Sequence, residues 1–398
     1  MTNCLSASFS NSLKALFTLL VFTVIGQISY AQKQKASPII NIIFTSDAHF
    51  GITRPNFRGD TAVIGNTVNI AMVKQMNTLP GLTLPQDGGV IAGKPVAAID
   101  YIAENGDIAN RMEVPIQSAA ASWGQFETDY IKGIHLTGHN GKPAGFLIVP
   151  GNHDISNTVG FYKTMKPATD PSSMVGIYNL MMKPKTPMTN ASYKYPEDRI
   201  NYSRDVQGIH MMFITLWPDS AQRIWMEKDL ASVPTTTPVM IFTHDQPTCE
   251  AKHFTNPAPM HTINADSKFE NLTAEYYKEG LKASKDDGGT EIEQRGWVKF
   301  LKAHPNIKAY FHGNSNWNEF YVYKGPDNDV SLNTFRVDSP MKGKYSSKDE
   351  TLLSFQLISI NAATQTLTAR ECLWNTNPKD VSQKVVFGKS ITVSLKVE

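Results

Sequence analysis

The chain has little cysteine: three residues among 398, with Cys4 near the start. Cys249 and Cys372, far apart in a long chain, make no disulfide framework, and two buried thiols are a simpler reading than one bridge. An excess of either charge is missing as well. Lys and Arg number 38 against 36 Asp and Glu, a formal +2 with no long basic run. That removes the electrostatic footprint that nucleic acid or anionic lipid would need. A small anionic substrate is still allowed, because a site can be locally positive on a nearly neutral protein. No internal repeat and no interdomain linker interrupts the chain. At 41% hydrophobic and 19% charged, it can build one large or two smaller domains with ample core.

A membrane-spanning apolar run is also lacking. Lys14 precedes Ala15 to Ile25, which is too short to cross a bilayer comfortably. Ser29-Tyr30-Ala31 then puts small residues where a signal peptidase cleaves. Residues 1–31 are therefore expected to be a signal peptide. The mature chain would be exported, to a bacterial periplasm or beyond, with no stable membrane anchor after cleavage. The rival is an uncleaved N-terminal anchor. Cys4 lies before the apolar run, which argues against a lipid-modified mature N-terminus.

What is present is a series of short apolar runs that end in polar residues. Pro38 to Asp47, Ala97 to Ile102, Phe146 to Pro150, Val239 to Thr243 and Asn306 to Phe311 read as strands. Apolar spacing predicts helices over Thr61 to Met76, Ile116 to Ile131, Met174 to Met182, Ser220 to Leu230 (capped by Ser220), Phe269 to Ala283 and Glu291 to Ala303. Ile200 to Arg204 and Gly208 to Leu216 read as a hairpin, and the tail from Glu319 as mostly antiparallel sheet. Strands alternating with helices make an α/β fold.

The strand exits carry the chemistry. They hold Asp47 and His49, then Asp107, then Asn152, His153 and Asp154, then His244. Any one of these is an ordinary turn residue; their recurrence at successive exits is not ordinary. Asp47 and His49 are two apart, so in extended backbone they would point to one side. Carboxylate, imidazole and amide together suit Mn, Fe, Zn or Mg rather than a thiolate zinc site. Asp107, reachable from two sides, would allow two ions, a pair able to assist in-line displacement at phosphorus. His153 is suited to give a proton or hold a phosphoryl oxygen, with Asp154 orienting it. Arg54, Arg58 and Arg111 follow these residues closely and are candidates to clamp phosphate oxygens, although each alone reads first as a solvated loop arginine. Lys342 is a weaker candidate still. Trp217, Trp317 and Trp374 are read first as core rather than as cleft.

As a set, Asp47-Ala-His49, Gly106-Asp107, Gly151-Asn-His-Asp154 and His244 resemble the first four signature blocks of the calcineurin-like metallophosphoesterase superfamily, in order and spacing from about residue 40 to 320. The resemblance implies a four-layer αββα sandwich, two mixed β-sheets flanked by helices, with a dinuclear metal site at the strand ends. It implies one domain over 38–325, with 326–398 as its β-rich C-terminal part. Asp47, His49 and Asp107 would hold one metal, Asp107, Asn152 and His244 the second, and His153 would be the catalytic imidazole. The fifth block departs. The family's Gly-His-x-His, one histidine per metal, here reads Gly313-Asn314-Ser315-Asn316. Amides are weaker neutral donors, which implies lowered metal affinity or a preference for harder ions such as Mg, Mn or Ca. His312, His253 and His261 are possible substitutes. Asn110 stands where purple acid phosphatases place a tyrosine, which argues against that subfamily. The expectation is an exported phosphoric ester hydrolase acting on a small phosphorylated substrate. The alternatives are a noncatalytic metal- or ligand-binding protein on the same scaffold, or a structural protein whose strand exits are only turns.

Overall fold

The computed structural model describes residues 37–110, 117–156, 171–194, 197–248 and 291–397. The expected signal peptide, Arg111, Cys249, His253, His261 and the expected helix over Phe269 to Ala283 lie outside the described residues. Contacts divide the chain into Met1–Ser37 and Pro38–Glu398, and the second unit carries the architecture below.

Its strands are β1 (Ile39–Thr45), β2 (Thr53–Phe57), β3 (Asp60–Ile64), β4 (Tyr101–Glu104), β5 (Gly145–Ile148), β6 (Tyr202–Val206) and β7 (Ile209–Phe213). They continue as β8 (Val239–Phe242), β9 (Ile307–His312), β10 (Glu319–Tyr323), β11 (Leu332–Arg336), β12 (Ser354–Asn361), β13 (Thr366–Leu373) and β14 (Val386–Ser394). One six-stranded sheet runs β14-β13-β12-β1-β4-β5, and a second runs β10-β11-β9-β8-β7-β6. Both are mixed: β1, β4 and β5 are mutually parallel, as are β7, β8, β9 and β11, and antiparallel strands flank each parallel core. The β-rich tail divides between them, β11 joining the second sheet and β12 to β14 the first. β1 is buried along nearly its whole length because both its faces are covered, which is why its sequence is a continuous apolar run.

The two sheets meet through a row of aromatics. Each strand of the second sheet contributes one ring at matching register: Tyr202, Phe213, Phe242, Phe311, Phe335 and Phe320. Neighbouring rings stack with centroids 4.7, 5.0, 4.5 and 4.6 Å apart, and Phe320 closes the row edge-on at 6.0 Å. Phe44 of β1 presses edge-on against Phe311 at 5.4 Å and Phe242 at 6.3 Å. Such pairs add roughly 0.5–1.5 kcal/mol each beyond area burial.

Helices cover the outer faces. On the first sheet lie α1 (Gly65–Met76), α2 (Ala119–Phe126), the one-turn α3 (Asn152–Ser156) and α4 (Ser172–Met182), which touches β5. On the second, α5 (Ser220–Leu230) packs on α6 (Glu291–Ala303), whose Trp297 lies 6.0 Å from Tyr310 of β9. The fold is α/β, two large mixed sheets flanked by helices. Among the described residues no helix is long and apolar enough to cross a membrane.

Three boundaries differ from expectation. Thr61 to Ile64, expected as helix, is β3, paired with β2 across Arg58-Gly59, both at positive φ as a tight hairpin turn demands. The apolar spacing runs unbroken through the junction, so periodicity alone could not place it. Asp100 binds the Asn41 backbone through its side chain, and β4 pairs only from Tyr101. The cap of α5 is Asp219, whose carboxylate accepts from Gln222 N at 2.9 Å, rather than Ser220.

Asn105, at the exit of β4, fastens the two sheets together. Its Nδ2 donates to Thr243 O (2.8 Å), just after β8, and Phe311 O (2.9 Å), near the end of β9, while its own N donates to Thr45 O (3.0 Å) in the first sheet. Asn105→Ala takes this donor from Thr243 O, while Phe311 O keeps the Thr243 N–H at 3.1 Å. We expect it to cost about 2 kcal/mol, measured as a fall in urea midpoint at unchanged slope; a cost below about 0.5 kcal/mol would show that the sheets do not depend on this amide.

Candidate metal centre

The exits of β1 and β4 stay paired after the strands end. Asp47 N donates to Gly106 O (2.8 Å), His49 N to Asp107 O (2.9 Å) and Phe50 N to Ile108 O (2.8 Å). Asp47, His49 and Asp107 all adopt positive φ, at 59°, 44° and 55°. The extended backbone expected for Asp47 and His49 is therefore corrected: left-handed turns, not strand alternation, bring them to one side. Each such residue costs on the order of 1 kcal/mol and persists because its surroundings fix it. Three glycines let the loops close. A Cβ on Gly106 would lie 2.3 Å from Gly151 N, one on Gly151 2.3 Å from Asp107 Oδ1, and one on Gly313 2.4 Å from Asp47 Oδ2.

Asp107 is the hub. Its Oδ1 accepts the His153 backbone N–H at 2.8 Å, which fixes the carboxylate. Its Oδ2 faces three imidazoles: His244 Nε2 at 3.4 Å, His49 Nε2 at 3.7 Å and His153 Nε2 at 3.9 Å. Asp47 Oδ1 lies 3.5 Å from His49 Nε2, and Asn152 Oδ1 lies 3.2 Å from His244 Nε2. Two groups with metal-ligand spacing result, His49–Asp107–His153 and Asp47–Asp107–His244, with Asp107 in both.

The donor set fits a cation. His244 Nδ1 is 2.6 Å from Asn105 O, a carbonyl that can only accept, so the proton sits on Nδ1. Its Nε2 lone pair then faces two oxygen acceptors, and Asp47 Oδ1 is buried without a hydrogen-bond partner. Acceptors converging on acceptors need a proton or an ion between them. Protons serve where no ion is bound. Burial pushes Asp47 up to about 6, with Asp107 adding and His244 opposing. Burial would raise Asp107 too, but His244, His153 and His49 hold it well below the usual carboxylate range. Burial would lower His244, and Asp107 outweighs it, so the imidazole is raised well above its ordinary value.

Asp47, His49, Asp107, Asn152, His153 and His244 are thus brought together. The remaining candidates lie otherwise. Asp154 does not orient His153: its carboxylate accepts from the backbone N–H of Gly151 (3.0 Å), Ala109 (3.0 Å) and Ile108 (3.3 Å) and from Ser173 Oγ (2.6 Å). It is a buried latch between two exits, pushed up to about 6 by burial and by Asp107. Arg54 is not presented to a substrate. It is buried, donating Nε to Asn56 O (3.1 Å), Nη1 to Pro340 O (2.8 Å) and Nη2 to Ser346 O. Arg58 donates to Asn375 Oδ1 at 2.9 Å and stacks on Phe57. His312 does not substitute for a missing ligand, since Tyr321 Oη (2.9 Å) and Gly313 O (3.0 Å) engage its two nitrogens.

Asn314 gives its backbone N–H to Asp47 Oδ2 at 3.0 Å, and its Nδ2 faces Gln246 Oε1 at 3.5 Å. Asn316 donates Nδ2 to Asn314 O at 2.6 Å, and its Oδ1 is buried without a hydrogen-bond partner. Trp217 and Trp374 are core; Trp317 is covered by Arg336 (3.6 Å) and Lys344 (4.0 Å). Sequence reasoning undervalued Lys342, whose Nζ is 3.3 Å from His153 Nε2, and passed over Asn105. The sequence marked neither beyond placing it near a carboxylate in a polar run.

No family model and no curated protein matches this chain. Solved structures with a similar fold include a dimetal phosphatase from Danio rerio (8% identity, 90% of this chain and 99% of that one, TM-score 0.49). Another is the phosphopantetheinyl hydrolase of Mycobacterium tuberculosis (11%, 76% and 91%, 0.36). A third is the calcineurin-like phosphoesterase YfkN of Bacillus subtilis (10%, 90% and 91%, 0.30). The functional reading rests on the site's own residues.

Mn²⁺ added to the ion-free protein is expected to raise its melting temperature, and Asp107→Asn to weaken binding at least about tenfold. Because the ion displaces protons held by Asp47 and His244, affinity should rise as pH is raised through about 6, where Asp47 titrates, and beyond it as His244 loses its proton. Titration calorimetry in two buffers of different ionisation enthalpy reads both effects. Binding untouched by Asp107→Asn would place the ion elsewhere.

Proposed function

We propose that the protein is an exported, metal-dependent phosphoric ester hydrolase with a dinuclear centre, acting on a small phosphorylated substrate. The observation that carries this reading is Asp107: one oxygen fixed by a backbone amide, the other shared among three imidazoles. Asp47, His49 and Asp107 would hold one ion, and Asp107, Asn152 and His244 the other. Mn, Fe, Zn and Mg suit this set. When bound, two such ions supply an activated water and neutralise charge at phosphorus. The chain's own residues do the rest. Asn105 fixes the His244 tautomer so that its lone pair points inward. His153, with Nδ1 3.0 Å from Asn110 O, holds Nε2 3.9 Å from Asp107 Oδ2, where the doubly protonated ring can pass a proton to the departing oxygen.

The fifth segment favours a second reading, a noncatalytic binding protein. Asn314 offers a backbone N–H where a ligand was expected. Survival of every other donor supports the enzyme.

The decisive assay is hydrolysis of chromogenic phosphate esters by metal-loaded protein. Asp107→Ala should lower kcat/KM by about 10³ or more, and His153→Ala by about 10² or more, with circular dichroism and melting showing a retained fold. Metal binding without turnover would favour the second reading. Absence of any bound divalent ion would remove both.

A further inference from the structure

We infer that Tyr345, braced by Trp317 and Lys344 at the rim of the metal centre, is a stacking shelf for an aromatic group carried on the leaving side of the substrate. The inference rests on the hydrolase reading and names its substrate class.

Two segments build this rim, and each starts at the cluster. In the first, Asn314 gives its backbone N–H to Asp47 Oδ2 at 3.0 Å, and Trp317 follows three residues later. In the second, Ser339 Oγ donates to Asp47 O at 2.8 Å and accepts from Met341 N at 3.1 Å and Lys342 N at 2.9 Å. Lys342 Nζ lies 3.3 Å from His153 Nε2, and Tyr345 follows three residues later. Three peptide steps span at most about 11 Å, so the backbone of neither ring strays far from the cluster. The segments join where Lys344 N donates to Asn316 O at 2.6 Å.

The rings are held from several sides. Arg336 lies 3.6 Å over the centre of the Trp317 ring and Lys344 Nζ 4.0 Å from it, and Tyr345 meets Trp317 edge-on at 6.2 Å. Glu319 Oε2 accepts from Arg336 Nη1 at 2.8 Å and from Trp317 Nε1 at 3.2 Å, which balances the guanidinium and fixes the indole. The Lys344 ammonium also stands 5.5 Å over Tyr345, so one cation spans both rings. The Tyr345 backbone is fixed too, its carbonyl accepting from Lys348 N at 2.9 Å and Asp349 N at 3.1 Å. Arg54 binds Pro340 O before it and Ser346 O after it. The arginine expected to clamp phosphate instead holds the loop that presents the tyrosine.

Yet this ring is half in water. Tyr345 is 50% exposed, and among the described residues it is the only exposed Phe, Tyr or Trp. A lone exposed apolar side chain needs no explanation by itself. This one stands on a pinned loop beside a candidate phosphoryl site, where the rest of a phosphate ester must lie. A tyrosine offers wide, rigid contact area and loses little freedom when a ligand covers it. Lys344 stands over one face, and the exposed part of the ring is open to a flat partner. An aryl ring or a nucleobase gains by stacking there; a leaving group that is only a polyol has no π-face to offer.

The test compares wild type, Tyr345→Ala and Tyr345→Phe, each loaded with Mn²⁺, on adenosine monophosphate, phenyl phosphate and glycerol phosphate. Tyr345→Ala should lose roughly five- to a hundredfold in kcat/KM on at least one aromatic ester, the range of one stacked ring, and about threefold or less on glycerol phosphate. The loss should fall mainly on KM, because the contact is made equally before and during reaction. Tyr345→Phe keeps the ring and should stay within about threefold of wild type on all three. A loss confined to adenosine monophosphate identifies a nucleobase as the partner, and one confined to phenyl phosphate an aryl group. An equal loss on all three esters, no loss on any, or a Tyr345→Phe variant as impaired as Tyr345→Ala overturns the inference. If no protein hydrolyses any ester, the hydrolase reading fails separately. Calorimetric affinity for the two aromatic esters then decides: weaker in Tyr345→Ala supports the shelf, and unchanged overturns it. A melting temperature for Tyr345→Ala within a few degrees of wild type excludes misfolding.

Discussion

One side-chain amide, that of Asn105, bears on everything else in this molecule. Two sheets packed face to face have no covalent reason to align the ends of their strands, and an aromatic interface tolerates sliding better than hydrogen bonds do. Asn105 removes that freedom. Its side-chain amide grips Thr243 and Phe311 in one sheet while its backbone N–H is anchored on Thr45 in the other, and its backbone carbonyl accepts from His244 Nδ1. The same residue that sets the sheets in register thereby sets the tautomer and aim of an imidazole. Fold and site share a hydrogen-bond network, so disturbing one disturbs the other.

The cluster built on that register is electrostatically incomplete on its own. Asp47, Asp107, His49 and His244 are buried, and so are the oxygens around them, including Glu104, raised well above its usual value by burial and by Asp47. Burying like acceptors together costs several kcal/mol unless something positive lies between them. The protein accepts that cost in a setting it has stiffened throughout. Left-handed residues are held by a backbone ladder, Asp154 bolts the β4 exit to α3, and glycines stand where a methyl would collide. Such stiffening is what a preorganised ion site requires, and a turn with no function would not need it.

Much of this was legible in the sequence, for a definite reason. Strand exits are where apolar runs stop, and Asp47, His49, Asp107, Asn152, His153 and His244 all follow such stops directly. Pairing order and the aromatic row were not legible, because each depends on residues distant in the chain, whereas the sharing of Asp107 was. Arg54 shows the limit best. Its position near two candidate ligands suggested a clamp for phosphate, but a guanidinium with five donors equally suits a buried post that satisfies loop carbonyls. Asp154 failed in the same way. Adjacency to His153 suggested partnership, whereas a helical turn points neighbouring side chains in different directions. The β2–β3 hairpin was lost because a residue spacing that suits a helix continued across it.

The departure at Gly313-Asn314-Ser315-Asn316 has a physical consequence for the whole centre. Where imidazole nitrogens were expected, Asp47 receives a backbone N–H from Asn314 on Oδ2, so one of its oxygens is spent and only Oδ1 is left for an ion. The ion on that side would meet fewer nitrogen donors and more oxygens; Asn316 Oδ1, on the same segment, is buried without a hydrogen-bond partner. Oxygen-rich surroundings favour harder cations and leave more of the coordination shell to water. Fewer strong protein donors would also leave more residual positive charge on such an ion.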